Sequence, residues 1–289
     1  MACGIVIVDK PAGWTSQDVA AKLRGVFHER RVGHGGTLDP MATGVLPIFV
    51  GRATRAVEFF ESAEKEYLAG LRLGLSTNTQ DITGEPLSSR AVQVARPQLE
   101  AVLSRFTGPL QQTPPMYSAV KIGGQKLYEL ARKGKEVQRP SRSIVIHELE
   151  LLDGGGCDWL LRVRCSKGTY IRTLCHDIGQ ALGCGGCMSS LRRTMAGCFS
   201  LRDSVPLDAL AAADNPAGFL LAVDALFAGL PACTLTPAQL KPCRNGAPIP
   251  RRDLTAGRYR VYGPDGEFLM IGRWERGRLI TEKSFFEVS

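Results

Sequence analysis

Gly33-His34-Gly35-Gly36-Thr37-Leu38-Asp39-Pro40-Met41-Ala42-Thr43-Gly44 is a turn-dense stretch that carries a single carboxylate. Its four glycines let the backbone bend sharply and come close to a ligand. Pro40 removes one backbone donor and presses Asp39 toward an extended conformation. The expected product is a stiff loop presenting one carboxylate. The Gly-Lys-Ser/Thr ending of a phosphate-binding loop is absent, which excludes that reading. On these residues alone, a turn-capping aspartate and a catalytic one both stand open.

The flanks place the loop in a mixed fold. Residues 4–9 predict a short buried strand, stopped by Lys10-Pro11-Ala12-Gly13. A helix follows from a Thr15 or Ser16 cap, with Val19, Leu23, Val26 and Phe27 on one side. Beyond the loop, residues 45–50 are again continuously apolar, and 66–74 alternate so that Tyr67, Ala69, Leu71 and Leu73 share a face. Pro97 opens an amphipathic helix carrying Leu99, Val102, Leu103 and Phe106. Residues 144–152 and 159–165 predict strands about a glycine turn, with Trp159, Leu161, Val163 and Cys165 inward. Thr169 is expected to cap a helix whose apolar stripe is Ile171, Leu174, Cys175, Ile178 and Leu182, ended by Gly183. Strands and helices mix without strict alternation, so the fold class is α+β, a mainly antiparallel mixed sheet flanked by helices.

A boundary falls near Leu230-Pro231, dividing the chain into a domain over 1–230 and a small β module over 231–289. The module is predicted to hold a helix over 237–244 and hairpins turning at Gly263-Pro264-Asp265-Gly266 and Glu275-Arg276-Gly277. With ten Lys or Arg against six Asp or Glu, it supplies half of the net charge of +8.

The 289 residues suit about two domains of ~150 residues each. Hydrophobic residues at 44% and charged residues at 22% exclude an intrinsically disordered chain. The apolar run over 219–230 is shorter than the ~20 residues of a membrane-crossing helix. Residues 1–10 lack the layout of a secretion signal, so a cytoplasmic protein is expected. Nine cysteines, an odd number, fit buried thiols in a reducing compartment. Cys184-Gly185-Gly186-Cys187 has metal or redox spacing, but no second CxxC or HxxxH completes a zinc site. No metal is expected.

Taken whole, the Gly33-to-Gly44 string resembles the catalytic loop of the TruB family, the bacterial tRNA pseudouridine-55 synthases. Further segments match in the same order: Asp9-Lys10-Pro11-Ala12-Gly13, Glu64-Lys65-Glu66-Tyr67, Asp81-Ile82-Thr83-Gly84, Thr113 to Lys121, Cys165 to Arg172, and Leu191-Arg192-Arg193-Thr194. Leu235-Thr236-Pro237 and Asn245-Gly246 continue the resemblance more faintly, toward the family's PUA-type RNA-binding module. The resemblance implies isomerisation of one uridine in the tRNA T-loop: the C1′–N1 bond breaks, uracil reorients, and a C1′–C5 bond forms. Nothing is oxidised and no group leaves, so no cofactor is implied.

It also assigns roles residue by residue. Asp39 matches the reacting carboxylate, a nucleophile or a stabiliser of an electron-poor C1′. A buried carboxylate neutralises itself unless a cation stands beside it, and Arg172 matches the arginine that pairs with it. Tyr67, on its own pattern a core residue, matches the tyrosine stacked on the target base. Tyr170 and Leu191 match pocket-lining residues, and His34 a histidine that helps hold flipped bases. Lys10 belongs to a motif near the site, with a structural and a direct role both open. Two departures are visible, Gly35 where the family usually has Thr and Thr37 where Ala is common; the first is expected to loosen the loop.

Over 121–142, seven Lys or Arg face two Glu, with Tyr128 and glycines interleaved. The corresponding family segment is an insertion that clasps the T-loop arm. Lys121, Lys126, Arg132 and Lys133 are its candidate RNA contacts, in a binding mode that weakens steeply with salt. The implied partner is tRNA through its T-stem-loop, with the target base flipped out, no membrane and no obligate protein partner, the protein acting as a monomer. A non-catalytic tRNA-binding or folding chaperone on the same scaffold is the alternative. A guide-RNA-dependent relative is a third reading, disfavoured by the compact length.

Overall fold

The computed structural model describes residues 2–286. The first apolar run forms the strand Gly4–Lys10, and the run after the loop forms Thr43–Val50, paired antiparallel along their lengths. Both faces of this pair are covered, which is why the two sequences read as unbroken apolar runs. Val6, Val8, Leu46 and Ile48 join one core, whereas Ile5, Ile7, Val45 and Phe49 join a second core on the reverse face.

The strand Lys65–Leu73 alternates because only one of its faces is apolar: Tyr67, Ala69, Leu71 and Leu73 are buried. Its reverse face carries Glu66 and Arg72, in a lattice of ion pairs with Arg162 and Asp158. The main sheet runs in the order Val205–Pro206, Gly4–Lys10, Thr43–Val50, Gly186–Ala196, Lys65–Leu73, Asp158–Cys165, Arg142–Gly155, Gly108–Gln112. Two junctions are parallel, Val205–Pro206 on Gly4–Lys10 and Thr43–Val50 on Gly186–Ala196. The others are antiparallel, so the sheet is mixed and mainly antiparallel, as the sequence predicts.

The helices Ser16–Val26, Arg96–Leu103 and Ile171–Ala181 cover the first core with Leu23, Leu99 and Ile178 among their buried residues. Thr15 caps the first helix: its hydroxyl accepts from Asp18 N at 3.1 Å while Asp18 accepts from Thr15 N at 3.0 Å. Thr169 does not cap the last one, because its hydroxyl donates instead to Ser166 O at 3.0 Å. Tyr170 takes the cap position, and the buried Gln112 clamps it. Gln112 Oε1 accepts from Tyr170 N at 2.8 Å and Nε2 donates to Tyr170 O at 3.0 Å.

Residues beyond Leu230 form a second sheet, in the order Ala232–Thr234, Gly257–Tyr262, Phe268–Glu275, Arg278–Ser284, Ile249–Pro250. Cys233, Val261, Leu269 and Leu279 fill its core, and the helix Pro237–Arg244 and both hairpins lie where the sequence predicts. The last three residues of the expected 231–289 module lie outside the described residues. The module docks through aromatic rings: Phe227, Phe268 and Phe285 have centroids 5.1–6.2 Å apart, and Phe59 stands edge-on to Phe227 at 5.3 Å. Among the described residues, no helix is long and apolar enough to cross a membrane.

Candidate active site

The glycine-rich loop is fastened from several sides, which fixes Asp39. Ser16, the first residue of its helix, grips buried Leu38: its hydroxyl accepts from Leu38 N at 2.8 Å and donates to Leu38 O at 3.2 Å. Pro40 O accepts from Gly13 N at 2.8 Å and from Lys10 Nζ at 3.2 Å. Gly44 has φ +101°, and a Cβ there would stand 2.2 Å from the Arg193 carbonyl oxygen. Only glycine lets the two parallel strands approach at this point. Part of the expected loop is itself a strand, Val32–His34, paired with Thr43–Val50.

Gly35, expected from the sequence to loosen the loop, is itself hydrogen-bonded and closely packed. Its N–H donates to Pro47 O at 2.8 Å, and the Phe60 ring fills the room a side chain would take, with Cδ1 2.5 Å from an added Cβ.

Asp39 and Arg172, 133 positions apart, meet face to face. Arg172 Nε lies 2.9 Å from Asp39 Oδ2 and Nη2 lies 3.3 Å from Oδ1, the forked geometry a guanidinium offers a carboxylate. The Arg172 side chain is 6% exposed and that of Asp39 34%, so the pair is buried on the arginine side and open on the aspartate side. Arg172 also donates to Thr79 O at 3.0 Å and Tyr117 O at 2.8 Å, and Nη1 stands 3.8 Å from Asp81 Oδ2. Asp81 is in turn held by the Thr83 hydroxyl at 2.6 Å, Thr83 N at 3.0 Å and the Thr79 hydroxyl at 2.9 Å.

Asp81, in the matched segment Asp81-Ile82-Thr83-Gly84, has no part in the site as expected from the sequence. Its usable signal was Thr77, Thr79 and Thr83 spaced by even steps around one aspartate, the pattern of a side chain wrapped in local hydroxyl and backbone donors. The Tyr117 carbonyl is a second omission, one no side-chain pattern could reveal.

Tyr67 is buried on the face it shares with Ala69, and Leu191 lies directly across from Ala69 on Gly186–Ala196. Burial pushes the Tyr67 phenol up, while the neighbouring Arg193 guanidinium pulls the other way. Tyr170 is half-buried, with the Arg142 guanidinium 5.9 Å over its ring. His34 Nδ1 is buried and finds no hydrogen-bond partner among the described residues; burial lowers its ring's proton affinity. Lys121, Arg132 and Lys133 are exposed on the insertion. Lys126 is half-buried, donating to the Tyr128 hydroxyl at 3.2 Å.

Of the structural and direct roles open for Lys10, a candidate RNA contact, its surroundings favour the structural one, an internal tie. It is fully buried, and its ammonium donates to Pro11 O at 2.9 Å, Trp14 O at 2.6 Å and Pro40 O at 3.2 Å. Cys184 and Cys187 are buried and unpaired, and burial pushes the Cys187 thiol up to about 11.

Burial pushes the Lys10 and Lys65 ammonium groups down to about 8 from 10.5. Between those values the unfolded chain binds protons that the folded chain does not, so this contribution to stability rises with pH across the window. Below it, both states are charged and the full burial penalty applies. From roughly pH 7 to pH 10 the unaltered chain should gain about 1–3 kcal/mol on Lys65→Met in denaturant melts. Parallel curves for the two proteins would show that burial does not lower the proton affinity of Lys65.

These residues sit in a chain whose sequence matches pseudouridylate synthases along most of its length. Residues 24–171 match the TruB family pseudouridylate synthase N-terminal domain, residues 172–223 the tRNA pseudouridylate synthase B C-terminal domain, and residues 231–283 the pseudouridine synthase II TruB C-terminal domain. The tRNA pseudouridine synthase B of Syntrophomonas wolfei is 46% identical over 93% of this chain and 92% of its own. That of Azoarcus sp. strain BH72 is 44% identical over 96% and 92%. Among solved structures, a Cbf5–Nop10–Gar1 complex superposes with a TM-score of 0.74 at 27% identity, covering 99% of this chain and 85% of that one. The chain belongs to the TruB family.

Proposed function

We propose that this protein isomerises uridine-55 in the T-loop of tRNA to pseudouridine, acting in the cytoplasm as a monomer. The observation that carries the reading is the Asp39–Arg172 pair, closed on the arginine side and open on the aspartate side. The reaction leaves the composition of the nucleoside unchanged. The C1′–N1 bond breaks, uracil turns, C1′–C5 closes, C5 gives up its proton and N1 acquires one. What the protein must supply is a negative charge beside the sugar, a surface for the freed base, and exclusion of water.

Asp39 supplies the charge, by attack or by stabilising an electron-poor centre. Arg172 holds it in place. Tyr67, with Leu191 on the same face, meets the base, Tyr170 lines the pocket with Leu191, and His34 helps hold the opened loop bases by stacking. The target uridine must leave its stack to reach Asp39.

Lys121, Arg132 and Lys133, with the half-buried Lys126, follow the phosphates of the arm. Arginines of the 231–289 module extend that track. Folded RNA is read by shape and by unstacked loop bases rather than through its deep groove.

The test is to incubate the protein with an unmodified tRNA transcript and map pseudouridine along it. Conversion at position 55 alone is expected. Conversion at another site overturns the assignment of position, and binding without conversion favours the chaperone reading.

A further inference from the structure

The helix Ile171–Ala181, which carries Arg172, begins at Tyr170 without a side-chain cap. Its start is held instead by Gln112, 58 positions earlier and the last residue of the edge strand Gly108–Gln112. A local cap satisfies a helix end without fixing where that end lies. An amide reaching from the sheet does both.

Gln112 is 3% exposed, and its amide meets Tyr170 as a neighbouring peptide group would. Oε1 accepts from Tyr170 N at 2.8 Å, and Nε2 donates to Tyr170 O at 3.0 Å. A backbone N–H only donates and a carbonyl only accepts, so the pair of bonds sets which way the amide faces. Tyr170 O also accepts from Leu174 N at 3.0 Å, the first backbone bond of the helix. The amide therefore bears on the helix frame itself.

Five residues on, the same segment returns to this helix. Tyr117 O accepts from Arg172 Nη2 at 2.8 Å, and the buried Pro114 and Pro115 stiffen the span between Gln112 and Tyr117. Arg172 lies two residues past Tyr170, about 3 Å along the helix axis. One stiff segment thus holds the helix at its first peptide groups and at the guanidinium that meets Asp39. A forked pair of charge-assisted bonds tolerates little displacement.

We propose that Gln112 is a positioning residue of the reaction: through the Tyr170 peptide groups it sets the start of the helix, and with it the Arg172 fork that holds Asp39 toward the sugar of the tRNA uridine. This rests on the roles given above to Asp39 and Arg172.

The test is a double-mutant cycle. The single-turnover rate of pseudouridine formation in unmodified tRNA, per folded molecule, is measured for Gln112→Met, Arg172→Lys and the pair, with tRNA affinity in parallel. Gln112→Met is expected to slow the reaction ~30-fold, within the ~100-fold that a misplacement of about 1 Å can cost, with affinity changed less than ~3-fold. In the Arg172→Lys background, where the fork is already lost, the same change should cost less than ~5-fold. An unchanged rate for Gln112→Met overturns the proposal, and so does an equal cost in both backgrounds, since a side chain that only stabilises the fold would not act through Arg172. Should Gln112→Met fail to fold, Gln112→Glu, which keeps an acceptor for Tyr170 N, runs the same cycle under the same criterion. Full activity of Asp39→Asn would sink the underlying reading of the site. An inactive Asp39→Asn together with independent Gln112 and Arg172 effects would sink only the present inference.

Discussion

Asp39→Asn is expected to bind unmodified tRNA within about threefold of the unaltered protein and to form pseudouridine at least ~10⁴-fold more slowly. The substitution keeps shape and removes charge. One oxygen still accepts from the Arg172 fork, but the amide turns N–H groups toward a group that has only donors. The negative charge beside the sugar is gone, and with it either attack at C1′ or stabilisation of an electron-poor centre. Binding should survive because the exposed cations Lys121, Arg132 and Lys133 lie on a separate insertion. Folding should survive because Arg172 keeps the Thr79 and Tyr117 carbonyls. Turnover by Asp39→Asn above about a tenth of normal, an effect smaller than loss of one stabilising donor, would remove the carboxylate from the chemistry.

What could be read from the sequence follows from what each residue is surrounded by. Strands Gly4–Lys10 and Thr43–Val50 announce themselves because both faces are apolar, and Lys65–Leu73 because one is. The helix stripes were legible for the same reason. The central strand Gly186–Ala196 was not. Two register shifts, between Met188 and Ser190 and between Arg193 and Met195, break its alternation. One of its innermost residues is Arg193, which a pattern of hydrophobicity places in solvent.

Gln112 and Lys10 hide in the same way. Each is buried and satisfied by backbone groups, Gln112 by those of Tyr170 and Lys10 by the carbonyls of Pro11, Trp14 and Pro40, so no pattern of neighbouring side chains marks it. Asp39 was visible as a carboxylate on a stiff loop. Arg172 was not visible from its helix, where Ile171, Thr173 and Leu174 are buried beside it; the family resemblance brought it forward.

Arg172→Ala should lower the rate of pseudouridine formation at least ~10³-fold, and unlike Asp39→Asn it should also weaken the fold by about 3–5 kcal/mol. Arg172 is the common partner of three segments: Asp39 on the glycine loop, Thr79 and Asp81 on the turn after Leu75–Thr77, and Tyr117 at the root of the basic insertion. Its removal leaves the carboxylate of Asp81, 8% exposed, without the cation beside it and frees two half-buried carbonyls. Arg172→Lys separates charge from shape. A lysine keeps the positive charge beside Asp39, but one ammonium cannot reproduce the fork and reach both carbonyls. Its rate is expected to fall ~10²-fold with most of the stability retained. A combined measurement of melting and single-turnover rate distinguishes the roles: stability lost at near-normal rate would make Arg172 a structural tie alone. Loss of rate in both variants, larger in Ala than in Lys, places both charge and geometry in the reaction.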